Sequence, residues 1–249
     1  MNSKEYAHDE YPSFGKKYGN EIGVISLTSW KARISTVSKT LFSLLKQCPK
    51  FHITLVLAEE EFPKMISELP ENLRLFVENE LIEIMFVKRN YWSFKKVLFT
   101  MDKYRDVPVI SADDDCIYVC DYAQALYDAW LKHKDCIITN RGAEYRPYCI
   151  SRGPNTLFTY NIMKNAIETL KTMFEKQNKK AVLQKSPLDD DYYSAFYHLN
   201  NIKIIDLMKP SFYKFQSTAN NSTALHNTHR CNSERALIKQ FVDLLKEAS

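Results

Sequence analysis

Two runs of three consecutive aspartates, Asp113-Asp114-Asp115 and Asp189-Asp190-Asp191, are the residues of this sequence best placed to do chemistry. Adjacent carboxylates repel one another, and within a helix or strand they would cost stability. The first run follows Val109-Ile110-Ser111-Ala112 and precedes Cys116-Ile117-Tyr118-Val119. At the end of a buried strand such acids are poised to hold a hard cation. Magnesium and manganese prefer oxygen ligands and take one or two carboxylates together with phosphate oxygens and water. Residues i and i+2 of an extended chain point the same way, so Asp113 and Asp115 can share one ligand while Asp114 faces elsewhere. An acidic surface turn would use the same residue type. A turn between two apolar segments, however, ordinarily carries Gly, Pro or Asn, and none stands here. The second run opens an aromatic-rich segment, where acids suit the positive end of a helix dipole.

The elements that must position these acids follow from hydrophobic periodicity. Apolar runs at 22–27, 51–57, 81–87, 107–111 and 136–139 read as strands, and 36–47, 93–103 and 122–133 as helices, with Ser93 capping the second. Strand and helix thus alternate through the first 140 residues, which is the signature of a doubly wound, mostly parallel α/β sheet flanked by helices. Ligands of such sheets bind beyond the carboxyl ends of the strands. Both Thr28-Ser29-Trp30-Lys31-Ala32-Arg33 and the first aspartate run fall at strand carboxyl ends. Residues 1–20 read as a loose arm, and 21–249 as a single domain with a regularly alternating half (21–145) and a helical and irregular half (146–249). In the latter, 155–176 and 189–199 read as helices, 177–187 as a polar loop, 202–205 as a strand and 209–228 as irregular. Ser233 caps a terminal helix with Leu237, Phe241, Leu244 and Leu245 on one face.

Composition narrows the function. The chain has 249 residues, of which 45% are hydrophobic, with a net charge of +4 and only 5 glycines. No GxxxxGK or GxGxxG motif occurs, which sets aside two common nucleotide-binding modes. Lysines and arginines are scattered among acids, so a nucleic-acid partner is not expected. The six cysteines form no CxxC pair, and free thiols beside apolar residues fit a reducing compartment. No apolar h-region opens the sequence, and no run nears the ~20 apolar residues of a bilayer span. A cytoplasmic protein is expected.

The segment Val109-Ile110-Ser111-Ala112-Asp113-Asp114-Asp115-Cys116-Ile117-Tyr118 resembles the DXD segment of bacterial GT-A glycosyltransferases of surface-polysaccharide biosynthesis. Ile25-Ser26-Leu27-Thr28-Ser29-Trp30-Lys31-Ala32-Arg33-Ile34 resembles that family's first strand and nucleotide loop. Ser93-Phe94-Lys95-Lys96 resembles the segment before the DXD strand, and Asp189-Asp190-Asp191-Tyr192-Tyr193 its acidic pair. The likeness covers residues 22–145 and returns more faintly at 225–232. It implies that Thr28, Ser29 and Arg33 contact the nucleotide, that Lys95 or Lys96 approaches the diphosphate, and that Asp113 and Asp114 bind ribose or sugar. It further implies that Asp115, with Asp113, ligates Mn2+ or Mg2+ between the phosphates. Asp190, with Asp189 beside it, would be the catalytic base of an inverting transfer, within one residue either way. A late histidine, His226, would be a further metal ligand, although a surface histidine is the plainer reading. The family's Tyr-Pro pair near Gly153 is missing, which leaves acceptor recognition open.

The expected activity is sugar transfer from a nucleoside diphosphate sugar, a UDP-sugar first, to a glycan or lipid-linked acceptor. A lipid-linked acceptor would bring the enzyme to the inner face of the cell membrane as a peripheral protein. Two other readings stand beside it. A metal-dependent nucleotidyltransferase would need a Gly-rich or basic loop after the first strand, which is poor here. A non-enzymatic carbohydrate- or calcium-binding module would leave the 28–33 loop and the second acidic run without a task.

Overall fold

Every residue of the segment Phe51–Ala58 is buried, as a strand covered on both faces requires. The structure, a computed structural model, describes residues 11–47, 49–140, 142–145, 148–151, 155–175, 189–208, 212–214, 239, 241–243 and 245–246. In chain order the elements are β1 (Ser13–Gly15), β2 (Gly23–Thr28), α1 (Val37–Leu44), β3 (Phe51–Ala58), α2 (Glu71–Glu78), β4 (Glu83–Val87), α3 (Lys95–Lys103), β5 (Val109–Ala112), β6 (Cys116–Tyr118), α4 (Tyr122–Lys132), β7 (Ile137–Thr139), β8 (Gly142–Tyr145), β9 (Tyr148–Ser151), β10 (Thr156–Phe158), α5 (Tyr160–Glu175), α6 (Asp189–Leu199), β11 (Ile204–Asp206) and β12 (Phe212–Lys214).

Eight of the strands form one mixed sheet in the order β1-β4-β3-β2-β5-β10-β7-β11. The pairings β4-β3, β3-β2, β2-β5 and β7-β11 are parallel, whereas β1 and β10 run against their neighbours. Alternation along the strands feeds two apolar layers. Ile25, Leu27, Ile53, Leu55, Ile84, Phe86 and Ile110 pack with α1, α2 and α4 on one face. Val24, Val56, Met85, Val87 and Val109 pack with α3, α5 and α6 on the other. Phe241, Val242 and Leu245 join that second layer. The architecture is therefore the expected doubly wound, mostly parallel sheet with helices on both faces.

Several local expectations are corrected. Within the stretch read as a loose arm, residues 13–15 form an edge strand antiparallel to β4. Gly15 closes it at φ +87, where an added Cβ would meet Ile82 O at 2.4 Å, so only a glycine fits. Residues 156–158, read as part of a helix, are β10, and α5 begins only at Tyr160. Strand pairing across β5 and β7 overrides the local apolar pattern there. The hairpin of β8 and β9 and the ribbon of β6 with β12 were not expected, nor was α2. Ser93 lies in a 3-10 turn and does not cap α3. Instead its hydroxyl accepts the backbone N–H of Asp189 (3.4 Å), at the start of α6. The loop at 177–187, His226, the 225–232 segment and the Ser233 cap lie outside the described residues.

Candidate active site

β2 and β5 are parallel neighbours near the middle of the sheet, and β2 sends its chain through α1 to β3 on its other side. Their carboxyl ends are therefore the switch point at which such sheets bind ligands. After β2 the chain turns tightly: the N–H groups of Arg33 and Ile34 both donate to Trp30 O, at 2.9 and 3.0 Å. This folds the Arg33 side chain back over the sheet's rim. After β5, the Asp113 N–H donates to the Tyr118 hydroxyl (2.7 Å), and the Tyr118 N–H donates to Ser43 Oγ (3.0 Å). Thr40 of α1 donates to Asp114 O (2.9 Å). The acidic loop is thus fixed by α1 from below.

Within this frame the acids separate by partner. Asp114 accepts from Ser29 Oγ (2.6 Å), and Arg33 Nη2 lies 2.6 Å from its Oδ1 and 3.0 Å from Asp115 Oδ2. Both carboxylates are buried, at 6% and 4% exposure. Burial pushes the Asp114 carboxyl up to about 6, while Arg33 and Ser29 pull it down and its acidic neighbours push it further up. Arg33 Nη2 makes these contacts as a charge pair and not as directed hydrogen bonds, and Arg33 Nε is a buried donor without a hydrogen-bond partner among the described residues.

Asp113 turns the other way, toward α3. Lys96 Nζ sits 3.0 Å from Asp113 Oδ1 and 3.4 Å from Asp189 Oδ2. Burial alone would depress the Lys96 ammonium, but Asp113, Asp189 and Asp190 together hold it well above its ordinary value, fully charged. The two aspartate runs, remote in sequence, therefore meet at one cation. The helix carrying that cation is pinned to the sheet by Ser26, whose hydroxyl donates to Lys96 O (2.6 Å) and pairs with Thr100 Oγ1 (2.7 Å).

Lys95 points elsewhere. Its ammonium donates to Asn90 Oδ1 (2.7 Å) and lies 3.5 Å from Glu61 Oε2, and burial lowers its proton affinity. Of the two lysines that could approach a diphosphate, Lys96 is the one that joins the acids. Thr28 donates to Val56 O (2.7 Å) and so ties β2 to β3 at the site's edge. Asp190 is half-buried at the start of α6, next to Asp189.

Asp113, Asp115 and Cys116 each offer one ligand atom, all within 4.8 Å of one another. The two carboxylates suit Mg2+ or Mn2+; Asp114, expected to face elsewhere, instead shares Arg33 with Asp115. Cys116 Sγ donates to Asp115 Oδ1 (3.4 Å), and its soft sulfur does not suit either ion. Cys116, Cys120 and Cys136 are free thiols.

Sequence reasoning missed Asn140 and Asn155. Both lie at this same end of the sheet, and both are buried with their side-chain nitrogen and oxygen unpartnered among the described residues. Asn is ordinary at strand ends, and no spacing marks the pair.

No protein-family model matches this sequence, and no curated protein matches it. Solved structures do. The chain superposes on residues 1–349 of S. aureus TarS, crystallised with UDP-GlcNAc, with a TM-score of 0.51 at 12% identity, covering 92% of this chain and 72% of that one. Against the longer TarS structure the TM-score is 0.50 at 14% identity, covering 90% of this chain and 43% of that one. In another crystal of residues 1–349, the match covers 60% of that chain. The fold is thus GT-A-like, the fold of glycosyltransferases. Among the described residues, no helix is long and apolar enough to cross a membrane.

Proposed function

We propose that this protein transfers a sugar from a nucleoside diphosphate sugar to a hydroxyl acceptor. The observation that carries the reading is the placement of Lys96 between Asp113 and Asp189. It brings a strand-end acid suited to the donor within one side chain's reach of a helix-start acid suited to the acceptor. The GT-A-like fold supports the same reading and makes UDP-sugars the first donors to test.

In this reading the diphosphate lies along the rim of β2 and β5. Arg33, whose buried Nε has no hydrogen-bond partner among the described residues, and Lys96 supply fixed positive charge from buried positions, where such charge is worth most. Asp113 and Asp115 would hold Mg2+ or Mn2+, which would supply further neutralisation of the leaving diphosphate. Ser29 and Asp114 hold Arg33 in place.

Asp190 takes the proton from the acceptor hydroxyl as that oxygen attacks the anomeric carbon. The bond from the anomeric carbon to the diphosphate oxygen breaks on the opposite side, and the nucleoside diphosphate leaves with the electron pair. A single displacement of this kind inverts the anomeric centre. Asp189, paired to Lys96, fixes the start of α6, so that Asp190 has a rigid seat. A lipid-linked acceptor would place the enzyme at a membrane surface.

The reading is tested by incubating the protein with a panel of UDP- and GDP-sugars and Mn2+ and measuring release of the nucleoside diphosphate. Slow hydrolysis of at least one donor is expected. Release of pyrophosphate from nucleoside triphosphates instead would favour nucleotidyl transfer, and no turnover with a melting shift in calcium alone would favour a binding module.

A further inference from the structure

Asn155 is completely buried and Asn140 is 6% exposed. The carboxamide nitrogen and oxygen of both have no hydrogen-bond partner among the described residues. Four unpaired polar atoms on two residues with bonded backbones are unusual, because leaving a buried polar group unpaired costs about 1–3 kcal/mol. Such a concentration calls for a ligand or ordered water to complete it.

The two residues are joined through their backbones. The Asn140 N–H donates to Asn155 O (3.0 Å), and the Asn155 N–H donates to Ser111 O (2.9 Å). Ser111 lies in β5, two residues before Asp113. Asn140 directly follows β7 at its carboxyl end, and Asn155 directly precedes β10. The pair therefore stands at the ligand-binding end of the sheet, one strand over from the acids. Asn155 is held at φ 94, a conformation in which few side chains other than Asn are found.

A carboxamide offers donors and an acceptor together and carries no charge. Two of them at joined strand ends suit hydroxyls of a sugar ring, each of which both donates and accepts. They do not match a phosphate, which only accepts. We propose that Asn140 and Asn155 form the subsite for the donor's sugar ring, beside the diphosphate site. The proposal rests on the transferase reading above and adds to it the residues that tell a sugar nucleotide from a bare nucleotide. A site built to bond hydroxyls discriminates strongly, because a ligand lacking them leaves its buried polar groups unpaired.

The test compares equilibrium binding of UDP with that of UDP-GlcNAc and UDP-glucose, in Mn2+, for the unaltered protein, Asn140→Leu and Asn155→Gly. Leucine nearly preserves the volume and removes the unpaired atoms, and glycine tolerates the backbone angle at 155. The unaltered protein is expected to bind one sugar nucleotide more tightly than UDP. Each variant is expected to lose about tenfold or more of that preference, the scale of one or two buried hydrogen bonds, with UDP affinity unchanged. The melting midpoint of Asn140→Leu is expected to hold or rise.

Variants that keep the full preference overturn the subsite and leave the transferase reading intact. So does an unaltered protein that binds UDP but shows no preference for any sugar nucleotide. A lowered midpoint with preference kept would make the pair a structural water site and also overturns the proposal. Failure of the unaltered protein to bind any of these nucleotides overturns the transferase reading itself.

Discussion

The Lys96 ammonium lies 3.0 Å from Asp113 Oδ1, with both groups at the carboxyl end of β5 and the lysine side chain 5% exposed. An unpaired lysine at that depth would be driven neutral by burial. Asp113 and Asp189 reverse this, so the charge is permanent. Lys96→Gln should remove the cation that Asp113 and Asp189 share. It should lower stability by about 3 kcal/mol, the scale of breaking a buried ion pair. Urea unfolding checks this. Nucleoside diphosphate affinity should fall as well, because no other lysine among the described residues contacts these acids.

Asp190 bears on turnover and not on binding. Asp190→Asn should keep nucleotide affinity within about twofold and lower kcat by about a hundredfold or more, as loss of a general base does. Binding and single-turnover measurements on one preparation separate the two. Asp189→Asn should instead lower both, since Asp189 holds Lys96 (3.4 Å).

Arg33 reaches Asp114 and Asp115 with a single nitrogen, Nη2. Arg33→Lys keeps the charge but loses the planar set of donors that includes the buried Nε, and it is not conservative. Its expected effect is about a tenfold loss of UDP affinity or more, on the scale of a charge-assisted hydrogen bond. Titration calorimetry reads it directly.

Far from this site, Glu83 of β4 is buried. It accepts from Lys103 (2.5 Å), Tyr104 (2.6 Å) and Thr54 (2.8 Å), with His52 Nε2 at 3.2 Å. Burial alone would raise its carboxyl, but the His52 hydrogen bond, the Lys103 charge and the hydrogen bonds from Lys103 and Tyr104 outweigh it and hold it at about 2, from 4.5. A depressed carboxyl contributes stability that is fully present above the unfolded value of 4.5. That stability is lost as pH falls toward about 2. The amount is about 3 kcal/mol by linkage. Glu83→Gln should flatten the acid limb of the stability profile between those values, measured by urea melts at stepped pH. Activity of the folded protein should not change.

The sheet and its two strand-end segments were legible in the sequence because they are local. Apolar runs such as 51–57 and 107–111 bury both faces, and Asp113 directly follows such a run. The i, i+2 spacing did not foretell that Asp114 and Asp115 share Arg33 while Asp113 meets Lys96. What sequence could not decide depends on distant partners. Lys95 and Lys96 are adjacent, and only the seating of α3 against Ser26 decides which one meets the acids. β10 looked helical because its role comes from β5 and β7 on either side. The unpaired state of Asn140 and Asn155 is a property of their surroundings and leaves no trace in their spacing. α2 buries only Leu73 and Phe76 along its length, too few to mark a face.

The central claim is that the acids after β5 bind a diphosphate together with a divalent ion. The most direct measurement is calorimetric titration of UDP with and without Mn2+, for the unaltered protein and for Asp115→Ala. The unaltered protein should bind UDP at least about tenfold more tightly with Mn2+ than without it, and Asp115→Ala should bind equally weakly in both. Manganese-dependent UDP binding that survives in Asp115→Ala would contradict the claim.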